Sequence, residues 1–216
     1  MKVALIGAGF VGSAILKELT DRGHEVKVLV RNPDKVTVPN NKVTVVAANA
    51  LQADEVAEQV KGSDAVISAY NAGWTNPNLY HDFLKGSQAI QAGVKKAGVK
   101  RYIVIGGAGS LYVAPDTQLI DTPQFPADYI TGASAARDYL NILKQEQELD
   151  WTFLSPAIEM HQGTSGERKG TYRKGLENPV FDANNRSIIS VEDIAVAIVD
   201  ELEDPKHIRQ RFTVAY

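Results

Sequence analysis

The residues best suited to chemistry stand near the start of the chain. Gly7-Ala8-Gly9-Phe10-Val11-Gly12 places glycine at the spacing GxGxxG. Each glycine has its own task. Gly7 permits a tight turn, Gly9 lets backbone approach a pyrophosphate, and Gly12 lets a helix pack closely on a strand. A helix that opens at Phe10 and Val11 adds free N–H groups and the positive end of its dipole. The phosphate loop of nucleoside triphosphatases is excluded, because Ser13 stands where its lysine belongs. About 20 residues further on, an NAD site carries Asp or Glu for the ribose hydroxyls. This chain has Arg31 and then Asn32. Arginine pairs with a 2′-phosphate and stacks on adenine, whereas a carboxylate would repel that phosphate. NADP(H) is therefore favoured, with NAD(H) possible.

Other chemistries find few residues. The chain has no cysteine, which excludes a disulfide framework, a thiolate metal site and a cysteine nucleophile. Its four histidines, His24, His81, His161 and His207, share no metal-ligand spacing, and no metal is expected. No G-x-S-x-G nucleophile elbow occurs. The acid pairs Asp54/Glu55 and Glu201/Glu203 read as exposed helix faces.

The elements that position the glycine loop follow from periodicity. Short apolar runs at Lys2 to Ile6, Glu25 to Val30, Val43 to Ala47, Asp64 to Ala69, Arg101 to Ile105 and Trp151 to Ser155 predict strands. Helical spacing predicts helices at Phe10 to Asp21, Leu51 to Val60, Leu79 to Ala97 and Ala127 to Glu148, with Gly23 stopping the first. Strand–helix alternation implies right-handed crossovers and a parallel sheet covered on both faces. Runs such as VALI, AVIS and YIVI suit strands buried on both sides. After Pro156 the texture changes. Residues 161–187 are rich in Gly, Lys, Arg and Asn and show no period. A loop or small lobe of that length is usually functional. Ser190 and Asp193 make a capping box for a closing helix, and Phe212 to Ala215 reads as a last strand.

Composition sets the outer bounds. Of 216 residues 44% are hydrophobic, enough for one sizeable core, and the expectation is a single domain over 1–216. Residues 156–189 would form its acceptor side and 190–216 its closing helix and strand. A net charge of -3 argues against a nucleic-acid binder. The N-terminal apolar run is broken by glycines, and no stretch reaches the length of a membrane span, so a cytoplasmic protein without membrane partners is expected.

Taken together, the runs VALIGAGFVGSAILKEL, LVRNPDK, GSDAVISAYNAG, AGVKRYIVIGGAGSLYV, LDWTFLSPA, GERKGTYRKG and SIISVEDIAVAIVDELEDP resemble the atypical short-chain dehydrogenase/reductases. The branch they look most like is called NADH-flavin reductase and is often labelled NAD-dependent epimerase/dehydratase. The resemblance covers nearly the whole chain, and GGAGSL followed by DWTFLSPA is its more specific part. It implies a Rossmann-like, doubly wound α/β sheet with a small C-terminal substrate-side region, and NAD(P)H lying across the strand ends. It also implies that Asn49, where the family commonly has Asp, and Ala50 meet the adenine. Ala69, Tyr70 and Asn71 would line the ribose, and Gly106 and Gly107 the nicotinamide.

The wider superfamily reduces carbonyls with a Tyr-x-x-x-Lys pair, the lysine lowering the tyrosine pKa. None of the eight tyrosines has Lys four residues later, and Tyr129, where the pair is expected, is followed by Ala133. The superfamily serine is replaced by Ala108, with Ser110 two residues beyond. Hydride transfer to a flavin or quinone-like acceptor needs less, because cofactor and acceptor carry the chemistry. In that reading Ser110 and His161 are the candidate catalytic residues. Arg168, Lys169, Arg173 and Lys174 would attract an anionic acceptor such as a flavin phosphate, and Trp74 and Tyr112 would wall it. The partner is then a small-molecule redox acceptor, and the protein a monomer or homodimer. Two alternatives stay open: a dinucleotide-binding sensor without turnover, and an epimerase- or dehydratase-like enzyme with unusual acid/base groups.

Overall fold

The computed structural model describes residues 1–38 and 40–216. Strand–helix alternation runs through it. β1 (Lys2–Ile6), α1 (Phe10–Asp21), β2 (Glu25–Val30), β3 (Val43–Ala47), α2 (Ala53–Val60), β4 (Ala65–Ser68), α3 (Leu79–Lys96) and β5 (Arg101–Ile105) come first. A small hairpin of β6 (Tyr112–Ala114) and β7 (Thr117–Gln118) follows, then α4 (Ile130–Leu143), β8 (Asp150–Ser155), β9 (Arg173–Gly175), α5 (Val191–Glu203) and β10 (Gln210–Ala215).

The main sheet has the order β3-β2-β1-β4-β5-β8-β10-β9. Its pairs are parallel except the last, where β9 runs antiparallel to β10. The chain winds outward from β1 through β2 to β3, then returns to the other side of β1 with β4. That reversal opens a crevice at the carboxyl ends of β1 and β4, where ligands bind in open α/β sheets.

Successive strand residues point to opposite faces, so each strand feeds two cores. Leu5, Val28, Ile67, Ile103, Leu154 and Phe212 pack under α1 and α5. Ala4, Ile6, Val66, Tyr102, Val104 and Phe153 pack under α2, α3 and α4. Gly23 takes φ +83°, and the His24 and Gly23 N–H groups close α1 by donating to the Leu19 and Thr20 carbonyls. This is the glycine-terminated ending that the sequence suggests.

Several boundaries differ from the periodicity, each for a local reason. α2 starts at Ala53 and not Leu51, because the Asn49 side chain takes the Leu51 N–H in a turn. The long helix expected from Ala127 begins as a 3₁₀ turn after Pro126, becomes α-helical at Ile130 and ends at Leu143. Its end is set by tighter bonds from the Gln145 and Glu146 N–H groups to the Ile142 and Leu143 carbonyls. β10 starts at Gln210, two residues early, by pairing with Thr152. Within 161–187 the aperiodic chain yields β9, three residues held to β10 and too short to show a period.

Of the acid pair Glu201/Glu203, Glu203 is exposed as expected and Glu201 is not. Glu201 is 1% exposed and pairs with Arg101 at 3.1 Å and with the His207 ring at 2.7 Å. Glu203 pairs with Arg22 and His24.

Glu146 ties the end of α4 to α3. It accepts from the Glu148 N–H, the Gln91 amide and the Lys95 ammonium. Burial alone would raise its pKa, but those three donors outweigh burial and bring it down to about 2. A depressed carboxylate pKa gives stability that is present above the unfolded value and lost as pH falls through the folded one. Glu146→Gln is therefore expected to flatten the fall in stability between about pH 4.5 and about pH 2, read from urea midpoints across that window. An acid limb of unchanged slope would remove Glu146 as its source.

Candidate functional site

The glycine turn sits at the switch point of the sheet. Gly7, at φ +92°, lies against the end of β4, and a Cβ there would stand 2.7 Å from the Ala69 carbonyl. Gly12, in the first turn of α1, lies on Gly7, and a Cβ there would be 2.1 Å from the Gly7 carbonyl oxygen. These two glycines let β1, α1 and β4 converge. Gly9 is different. A Cβ at Gly9 would meet no atom within 4 Å. Its missing side chain is required by nothing in the protein and leaves a cradle open to the crevice. Gly9 is also the N-cap of α1 and offers no side chain to the helix N–H groups, and the first turn carries no acid. Phe10 is 42% exposed beside this open end, and Val11 is half-buried. The N–H groups and dipole end are thus presented where an anion fits.

Arg31 and Asn32 stand exposed just past β2. Among the described residues Arg31 makes no ion pair. Its charge reaches the neighbouring loop: burial pushes the Tyr70 phenol up, Asp82 adds to the rise, and Arg31 opposes it. The loop after β4 is well tied. Tyr70 stacks on Phe83, donates to the Asp82 carbonyl at 3.0 Å and fills the space above Gly86. Its ring belongs to α3, and only its backbone follows β4 into the crevice. Asn71 accepts from the Gly73 N–H at 2.7 Å and shapes the loop, while Ala69 lines the turn opposite Gly7. After β3, Asn49 donates its N–H to Glu55 and is exposed, with Ala50 half-buried beside it. After β5, Gly106 makes room for Phe153, whose ring would lie 1.9 Å from a Cβ. Gly107 meets only Ala136 at 3.7 Å and stays open.

Ser110 is placed differently from its expected role. It is 3% exposed, and Arg211 donates to its Oγ at 3.0 Å and to its carbonyl at 3.3 Å. Arg211 also pairs with Glu177 and reaches Ser155 at 3.4 Å. Arg211 thereby fastens the loop after β5 to β8, β10 and Glu177, with the Ser110 hydroxyl oxygen as one of its acceptors. Sequence reasoning missed Arg211; its only signal is an arginine one residue before a buried apolar run.

His161 stands exposed in the loop after β8, on the carboxyl side of the sheet. Its Nδ1 accepts from the Gly163 N–H at 3.0 Å, and Thr164 closes the turn with bonds to its backbone. The ring caps the 3₁₀ turn Gln162–Thr164 and so holds the loop.

The cationic cluster is largely engaged inside the protein. Arg168 pairs with buried Glu18 of α1 at 2.7 Å and holds that carboxyl below its usual range against the upward push of burial. Lys169 lies 3.8 Å over the Tyr216 ring. Arg173 donates to the Phe181 and Tyr216 carbonyls. Asp193, fully buried, accepts from the Lys169 and Gly170 N–H groups and from the Tyr216 hydroxyl. These contacts clamp residues 168–173 onto α1, α5 and the chain end. Of the four cations only Arg168 is neutralised by a carboxylate; Lys169, Arg173 and Lys174 are exposed and keep their charge.

The expected wall of Trp74 and Tyr112 divides. Tyr112, on β6, bonds to Glu177 and Asn178. Trp74 meets Tyr129 instead, edge to face at 5.6 Å.

A doubly wound sheet of this strand order, with a glycine turn at its switch point, is a Rossmann-like dinucleotide-binding fold. Residues 7–205 match the NAD(P)H-binding family, and the chain belongs to it. YwnB of Bacillus subtilis, an uncharacterized protein, is 41% identical over 99% of this chain and 98% of its own. A crystal structure from Bacteroides thetaiotaomicron, provisionally named an epimerase, matches with a TM-score of 0.92 at 46% identity, over 100% of this chain and 96% of that one. A Streptococcus pneumoniae protein, provisionally named an NADH-flavin reductase, matches with a TM-score of 0.86 at 33% identity, over 100% and 99%. No helix among the described residues is long and apolar enough to cross a membrane.

Proposed function

We propose that this chain is an NADP(H)-preferring oxidoreductase whose acceptor, flavin or quinone-like, carries its own redox chemistry. The observation that carries the reading is the contrast within one crevice. The cofactor side offers a cradle, with Gly9 leaving open space at the N-terminus of α1. The proton-transfer side is bare, with Ala133 after Tyr129 and the Ser110 hydroxyl turned to Arg211. Gly7 and Gly12 set the turn, and Gly9, Phe10, Val11 and Gly12 bring N–H groups to the pyrophosphate. Arg31 and Asn32 meet the adenosine 2′-phosphate, Asn49 and Ala50 the adenine, and the Ala69–Asn71 backbone the ribose. The loop of Gly106 and Gly107 after β5 would hold the nicotinamide, with Gly107 the more open of the two. Bound NAD(P)H would supply a hydride, two electrons with one hydrogen, and the reduced acceptor would take one proton from solvent. The protein's task is then to orient two rings and exclude water.

NADPH oxidation with FMN, FAD and naphthoquinones as acceptors tests this. Tight dinucleotide binding without acceptor-dependent oxidation would favour a second reading, a dinucleotide-binding sensor. That alternative draws on the internal use of Ser110 and His161.

The cofactor preference has a sharper test. Arg31→Ala is expected to weaken NADPH by more than about 1 kcal/mol, the scale of a lost charge-assisted contact, and to leave NADH nearly unchanged. Titration of both dinucleotides into both proteins measures it. An equal loss for NADH would remove the phosphate role.

A further inference from the structure

Two large aromatic rings stand in the open above the carboxyl ends of β4 and β5. Trp74 is 59% exposed and Tyr129 is 53% exposed. Scattered exposed hydrophobics are ordinary on a protein surface. These two are not scattered. They touch edge to face at 5.6 Å and 84°, and Trp74 is pinned from below. A Cβ on Gly132 of α4 would lie 2.7 Å from the Trp74 ring, so the indole rests in a place that only glycine leaves free. Its loop is stiffened as well. Asn71 accepts from the Gly73 N–H, Gly73 sits at φ +100°, and the Asn76 amide bridges the Ala72 carbonyl and Asp82.

The position matters as much as the rigidity. Trp74 leaves the end of β4, and Tyr129 precedes α4 after β5. Tyr129 stands one helical turn before Ala133, on the same face. Ala133 abuts the turn Ala108–Ser110, its Cβ 3.0 Å from where a Gly109 side chain would begin. The aromatic pair thus stands about one helical turn along the start of α4 from Gly109, two residues past Gly107.

We propose that Trp74, seated on Gly132 and edged by Tyr129, is the stacking surface for the planar conjugated ring of the acceptor. An electron-rich indole held still stacks an electron-poor ring, such as an oxidised isoalloxazine or a quinone, at little entropic cost. A small aliphatic carbonyl has no such face and gains nothing there. The proposal rests on the oxidoreductase reading and narrows its substrate class.

The test uses Trp74→Ala, Trp74→Phe and Gly132→Ala in the full chain, with FMN, 1,4-naphthoquinone and butane-2,3-dione as probes. Trp74→Ala is expected to raise KM for FMN and naphthoquinone by about 5-fold or more, the lower end of what one aromatic stack contributes. NADPH affinity and any turnover of butane-2,3-dione should stay unchanged, and Trp74→Phe should restore part of the loss. Gly132→Ala favours helix formation, yet it displaces the indole without removing it and should raise the same KM values. Unchanged KM values in both Trp74→Ala and Gly132→Ala would overturn the proposal while leaving the oxidoreductase reading intact. If the wild-type protein binds NADPH but turns over no acceptor, the oxidoreductase reading fails. FMN titration calorimetry on the NADP⁺-saturated protein then decides for Trp74. Binding weakened about 5-fold or more by Trp74→Ala supports the stacking surface, and absent or unaffected binding overturns it.

Discussion

Gly9→Ala is expected to leave the protein folded and to remove at least 90% of its dinucleotide affinity, whereas Gly12→Ala is expected to damage both. The reason lies in what a single methyl would meet. At Gly12 it would lie 2.1 Å from the Gly7 carbonyl oxygen, a backbone atom that cannot swing aside. The strand–turn–helix junction must shift, and overpacking of this kind costs typically 1–3 kcal/mol and sometimes more. The shift also moves Gly7, so binding falls with stability. At Gly9 the methyl meets nothing, and the φ of -76° suits alanine. Alanine is a poorer N-cap than glycine, so stability should fall by no more than about 1 kcal/mol. The methyl would instead stand where the pyrophosphate approaches the α1 N–H groups. A tenfold weakening corresponds to about 1.4 kcal/mol. Urea denaturation and NADPH titration on both variants separate the two effects. Wild-type affinity in Gly9→Ala would mean that the phosphates do not lie against this turn.

The second large effect lies at the opposite end of the sheet, far from the crevice. Glu201→Ala should destabilise the fold by about 3–5 kcal/mol, because it strands a buried guanidinium. Arg101 is 8% exposed and donates to Glu201, to the Asp150 carbonyl and to Thr152. Glu201 also accepts the Lys206 and His207 N–H groups. Glu201 and Arg101 together thus join α5, β5, β8 and the turn into β10. Glu201→Gln, which keeps the shape and an acceptor, should lose less. NADPH affinity at saturating folded protein should not change, since none of these groups faces the crevice. A loss below about 1 kcal/mol in Glu201→Ala would show that water compensates Arg101.

Which parts of this could be read from the chain depended on the range of the interaction. The glycine turn, its strand and its helix were readable because GxGxxG between two such elements is a local pattern with a local cause. Gly23 ending α1 is likewise short-range and stands as expected; Ser190 caps α5 by accepting from the Asp193 N–H, but its own N–H donates to the Tyr216 hydroxyl, so the expected capping box is half formed. Ser110 and His161 were legible as polar residues near the crevice but not as fasteners. Their partners are Arg211, 101 residues away, and a turn whose shape depends on where the loop lands. Arg168 looked free because Glu18, 150 residues upstream, gives no sign of its burial in a helix that also carries Lys17. Glu201 misled for the same reason, since its place on α5 looks solvated until Arg101 arrives from β5.

Local order in the chain was therefore enough for the fold class, the crevice and the glycines that shape it. Backbone geometry and alternating polarity act over a few residues and leave their mark there. The fate of each charged and hydroxyl group was decided by the folded arrangement. Such a group serves whatever partner the sheet order brings within about 3 Å, because leaving it buried and unpaired is costly. The pairing of Trp74 with Tyr129 on Gly132 belongs to that second kind. It joins the loop after β4 to the start of α4, and no spacing within either segment announces it.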